Sequence, residues 1–74
     1  MKTIRIYGWE PGFNKVEMTK LLREELGSSL FDAKEMVDKI VSCEQIEISV
    51  NPESIERITY KLDQLKAKFE ILDL

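Results

Sequence analysis

Ile4 and Ile6 alternate with Thr3, Arg5 and Tyr7, the period-two pattern of a strand with one face buried and the other in water. The pattern predicts a first strand over 3–7. Gly8, Pro11 and Gly12 then interrupt regular structure, which leaves Trp9 and Phe13 as bulky apolar residues in a predicted loop. Asn14 can accept a hydrogen bond from a backbone N–H three residues on, and Glu17 can reach back to it in the manner of a capping box, so a helix starts there. Met18, Leu22 and Leu26 recur at i, i+4 and i+8 beside Leu21, and Gly27 suits the left-handed residue that ends many helices. Ser29 and Asp32 repeat the cap ahead of Leu30, Ala33, Met36, Val37, Ile40 and Val41, whose spacing marks one face of a second helix. With Gly27 and Ser28 carrying the reversal, the two helices must lie against each other as a hairpin.

Ile46, Ile48 and Val50 alternate with Gln45, Glu47 and Ser49 as a second half-buried strand. Asn51-Pro52 stops it and starts a third helix, with proline at the first helical position. Ile55, Ile58, Leu62 and Leu65 give that helix an apolar stripe, ending near Lys66. Ala67, Phe69 and Ile71 then alternate with Lys68 and Glu70 as the last strand. The order is β-α-α-β-α-β, with no repeat, linker or low-complexity tract. The expected fold is one α+β domain over residues 1–74, a two-layer sandwich in which three helices cover one face of a three-stranded sheet.

Composition narrows the function classes. At 74 residues, 43% apolar and 34% charged, the chain has the balance of a folded single domain and not of a disordered segment. Eleven Lys and Arg are interleaved with fourteen Asp and Glu for a formal charge of -3, so no basic block points to nucleic acid. No apolar run approaches the ~20 residues of a membrane span, and the N-terminus shows no apolar core of an export signal. A lone Cys43 forms no disulfide framework, and a reducing cytoplasm is the expected location.

Catalytic chemistry finds no foothold. Histidine, the commonest base and a frequent zinc ligand, is absent. Cys43 falls near the end of the second helix, where the helix dipole disfavours a thiolate. Carboxylates pair with cations at helical spacing, as Glu35 does with Lys39. Gly8 and Gly12 lack the Lys-Ser/Thr of a phosphate loop. The expectation is a binding protein with no catalytic residue, cofactor or metal.

From Gly12 to Asp38 the chain reads GFNKVEMTKLLREELGSSLFDAKEMVD, and this resembles the C-terminal domain of the bacterial ribosomal stalk protein. Asn14, Lys15, Val16, Lys20, Arg23, Gly27, Leu30, Ala33, Lys34 and Val37 fall in register with the family pattern without a gap. NPESIERITYKLDQLKAKFEIL is similar to the family's closing helix and strand. The chain is read as that domain standing alone, without the family's N-terminal dimerisation region. The resemblance implies a docking module whose first two helices present a basic and apolar face that recruits translational GTPases. Carried over by position, the face is Lys15, Val16, Thr19, Lys20 and Arg23 with Lys34. Helical geometry independently puts 16, 19, 20 and 23 on one side. Trp9, Phe13 and Phe31 are candidate extensions, since aromatic and Arg side chains anchor interfaces. Three departures are visible. Thr19 stands where the family is apolar, Ser28-Ser29 where it has Leu-Gly, and Lys66 where it has glycine.

An alternative reading is a small acidic immunity protein that neutralises a toxin or enzyme through Glu44, Glu47, Glu53 and Glu56. Leu72 and Leu74 leave a further possibility, a sheet edge paired with a second copy of the chain, though no pattern indicates an oligomer.

Overall fold

In the computed structural model, which describes residues 1–72, the alternation around Ile4 and Ile6 does form a strand, but a longer one than expected. Strand β1 spans Lys2–Trp9. It pairs antiparallel with β2 (Ile46–Val50) through Lys2 to Ile6, and with β3 (Ala67–Leu72) from Thr3 to Trp9. The sheet order is β2-β1-β3, so β2 and β3 run parallel to each other on either side of the first strand. The register with β3 shifts between Ile6, opposite Phe69, and Gly8, opposite Lys68. The extra residue is a bulge at Tyr7, and a bulge reverses the in-out alternation beyond it. Trp9, expected in a loop, is therefore a strand residue facing the same side as its partner Ala67.

Helix α1 spans Lys15–Leu26 and α2 spans Leu30–Val41. Both start as their sequences indicate. The Glu17 N–H donates to Asn14 Oδ1 at 3.0 Å and the Asp32 N–H to Ser29 Oγ at 3.1 Å. Gly27, at φ 67°, ends α1, its N–H donating to the Arg23 carbonyl. Pro52 opens a 3-10 turn, Pro52–Ser54, instead of the third helix itself, and α3 runs Ile55–Gln64.

The helices cover one face of the sheet, and the space between is filled by Ile4, Ile6, Met18, Leu22, Ile40, Ile58 and Leu62, all fully buried. Each contributes about 1.5–3 kcal/mol by leaving water. Two residues expected in the core are exposed. Leu30 (45%) is the first residue of α2 and stands at the hairpin tip. Ile71 (46%) faces the same side as Ile4, but burial falls away along β3 with distance from the end of α3, from Ala67 through half-buried Phe69 to Ile71. Leu72 is half-buried opposite Thr3, and Leu74 lies outside the described residues.

Two further helix ends take left-handed backbone without glycine. Cys43 (φ 62°) follows α2, with its N–H on the Ile40 carbonyl and the Glu44 N–H on the Lys39 carbonyl, the paired bonds that satisfy a helix end. Lys66 (φ 67°) follows α3, with its N–H on the Asp63 carbonyl.

An ion pair joins α1 to α3. Arg57 donates through Nε and Nη2 to the two oxygens of Glu25, at 2.9 and 2.7 Å, and through Nη2 to Ser54 Oγ at 3.2 Å. These hydrogen bonds hold the Glu25 carboxyl below its ordinary value, outweighing the partial desolvation that acts in the other direction.

Candidate protein-binding face

Because α1 and α2 are antiparallel neighbours, the start of α1 lies beside the middle of α2. Lys15, Val16 and Thr19 from α1 and Lys34, Val37 and Asp38 from α2 line a shallow groove of about 250 Å³ between them. Val37 is buried, whereas Val16 is 66% exposed. The Thr19 hydroxyl donates back to the Lys15 carbonyl at 2.9 Å, which satisfies it within its own helix and leaves the groove's polar character to the lysines and Asp38.

Lys20 and Arg23 border a second depression, with Glu24, Gly27 and Ser28, on the flank of the hairpin. Lys20 Nζ stands 3.4 Å from Glu17 Oε1, with both side chains at least half exposed, so water screens the pair and it is worth about 0–1 kcal/mol at most. Among the described residues Lys15, Arg23 and Lys34 stand in no ion pair. Phe31, 70% exposed, lies three residues before Lys34 and thus on the same side of α2.

Trp9 and Phe13 occupy the opposite end of the hairpin. Trp9 Nε1–H donates to the Val41 carbonyl at 3.0 Å, and its ring lies 6.4 Å from that of Phe13, tilted by 36°. Phe13 is half-buried against the core. From Phe31 to Val41 the helix rises about 15 Å at ~1.5 Å per residue. The structure thus gathers Lys15, Val16, Thr19 and Lys34 in one groove, leaves Lys20 and Arg23 outside it on the flank of α1, where Lys20 also lines a depression with Lys61, Gln64 and Leu65, and puts Trp9 and Phe13 at a separate packing site. Sequence reasoning omitted Asp38, whose i+4 relation to Lys34 was the available signal, and exposed Leu30.

Over 61 residues, 82% of its length, the chain is 38% identical to the large ribosomal subunit protein bL12 of Aquifex aeolicus (strain VF5), and to the same degree to bL12 of Aquifex pyrophilus. It is a bL12 C-terminal-like domain. The chain spans about half (46%) of the length of those curated relatives. No family model matches it. The acidic residues of the alternative reading are divided within the bL12-like domain. Glu47 sits on β2 opposite Arg5, Glu53 and Glu56 lie on the 3-10 turn and α3, and Glu44 follows α2. Among the described residues no helix is long and apolar enough to cross a membrane, and no group of three or more metal-ligating side chains is assembled.

Proposed function

We propose that this bL12-like domain is a docking module that binds another protein through the α1/α2 groove. The observation that carries the reading is the combination of two exposed apolar side chains, Val16 and Phe31, with the unpaired cations Lys15, Arg23 and Lys34. Exposed apolar area rimmed by charge is the anatomy of a recognition surface: the apolar centre supplies affinity, and the rim supplies encounter rate and partner choice. Likeness to bL12 favours a component of the translation machinery as that partner, and a translational GTPase is the specific candidate.

Purified translational GTPase from the same source, titrated against the domain by calorimetry, tests this directly. Reversing the groove lysines together (Lys15→Glu, Lys34→Glu) is expected to weaken binding by at least about tenfold while leaving thermal unfolding unchanged, and reversing Lys20 and Arg23 on the flank of α1 tests whether the contact extends there. Equal affinity of the groove variant and the parent would remove the groove as the site. Absence of binding by the parent would remove the GTPase as the partner.

A further inference from the structure

Both outer strands of a three-stranded sheet expose a row of backbone N–H and C=O groups, and an uncovered edge is a template for another strand. The two edges here are not alike. On β2 the inward side chains Ile46, Ile48 and Val50 are buried, so that edge leaves no apolar area uncovered. On β3 Phe69 is half-buried and Ile71 is exposed at 46%.

Charge sharpens the difference. Along β3 the outward side chains Lys68 and Glu70, both exposed, flank Phe69 with opposite signs. We infer that β3 pairs antiparallel with β3 of a second copy of this chain, about a two-fold axis at Phe69. In that register Lys68 of each copy faces Glu70 of the other, Phe69 faces its own counterpart, and exposed Ile71 faces Ala67. Registers centred one residue away put Lys68 against Lys68 or Glu70 against Glu70. Opposite charges directly across a strand pair stabilise and like charges destabilise, so within β3, which starts at Ala67 and excludes Lys66, the register centred on Phe69 is favoured over these two neighbours. On β2, by contrast, a two-fold axis at Ile48 puts Glu47 against Ser49, with no charge attraction. Glu70 already accepts from Arg5 Nη1 at 2.8 Å, an arrangement that holds its carboxylate on the outer face without using all of its acceptor sites. The product is a continuous six-stranded antiparallel sheet.

Sedimentation velocity of the whole chain from about 10 μM to about 1 mM tests the inference. A concentration-dependent monomer–dimer equilibrium is expected, and a monomer throughout overturns it. Lys68→Glu, which leaves the Arg5–Glu70 pair intact, is expected to weaken the dimer at least about tenfold, and an unchanged dimer would place the contact elsewhere. Glu70→Lys alone is expected to weaken it likewise. Mixing the two single variants sets a glutamate opposite a lysine at both contacts, and a heterodimer is expected to form; its failure to form, with both variants folded by circular dichroism, overturns the register. Hydrogen exchange of the unaltered chain gives a check free of substitutions. Amides of β3 gain protection with concentration if the edge is paired, and gain none if it is not.

Discussion

Trp9 and Phe31 are both large aromatic side chains that a reader of the sequence would nominate as interface anchors, yet they end up in different physical situations. Trp9, itself 39% exposed, closes one end of the α1/α2 hairpin, with its indole N–H on the Val41 carbonyl and its ring against Phe13. Phe31, near the other end, is 70% exposed, on the side of α2 that carries Lys34 of the groove we assign to a partner. A side chain with an internal partner stabilises the domain, and one without leaves its apolar area for something else. Residue type alone does not separate the two cases; the bulge at Tyr7 does, because it brings Trp9 onto the helix side of the sheet.

The largest expected effect tests that separation. Trp9→Ala is expected to cost about 2–3 kcal/mol, through lost packing and the unmade bond to the Val41 carbonyl. Phe31→Ala is expected to stay within about 0.5 kcal/mol of the parent, as surface changes do. Urea denaturation with a common slope measures both. Equal costs would erase the distinction between a packing end and a binding end.

The elements themselves were readable from the residues because each had a local physical cause: two-residue alternation in the strands, side-chain caps at Asn14 and Ser29, glycine at 27. What escaped depended on tertiary context. Nothing local distinguishes a bulge at Tyr7 from a strand end followed by a Gly-Pro loop, so Trp9 was expected outside the sheet. Leu30 and Ile71 obey the periodicity of their elements but lie where the opposing layer gives out. The cations of the candidate face were found from helical spacing and family resemblance together. Their grouping with Val37 and Asp38 needed the packing of α2 on α1, which no single helix encodes.

A second test compares helix ends that share a backbone conformation but not a residue. Gly27 and Lys66 both have φ 67°, and a Cβ built at Gly27 meets nothing within 4 Å. The cost of a side chain at either place therefore comes from the left-handed backbone, about 1–2 kcal/mol, less the greater chain entropy that glycine loses on folding. Lys66→Gly is expected to stabilise the domain by about 0.5–1 kcal/mol, and Gly27→Ala to destabilise it by a similar amount. Lys66→Ala separates backbone from charge: if it reproduces the gain, removal of the lysine charge and not relief of the backbone is responsible. The Lys66 carbonyl accepts from the Glu10 N–H at 2.9 Å, so a gain at this position also firms the end of the molecule that Trp9 closes.

The smallest effect contrasts covered and uncovered groups within one ion pair. The Glu25 side chain is 13% exposed and that of its partner Arg57 is 55% exposed, so the carboxylate is the group whose titration the fold senses. Bonding to Arg57 puts the folded-state value of Glu25 below its unfolded one. A group so shifted contributes fully above the unfolded value, near about pH 4.3 for a glutamate, and its contribution is lost as pH falls through the folded value. Arg57→Gln removes the hydrogen bonds and charge that depress it. The stability difference between parent and variant is therefore expected to be constant at neutral pH and to shrink as the medium is acidified below that range. Glu25→Gln supplies the control, since Arg57→Gln in that background has no carboxylate left to shift and is expected to leave the acid limb of the stability curve unchanged. If the difference between parent and Arg57→Gln persists unchanged in acid, the hydrogen bonds from Arg57 are not what couples the Glu25 carboxylate to folding.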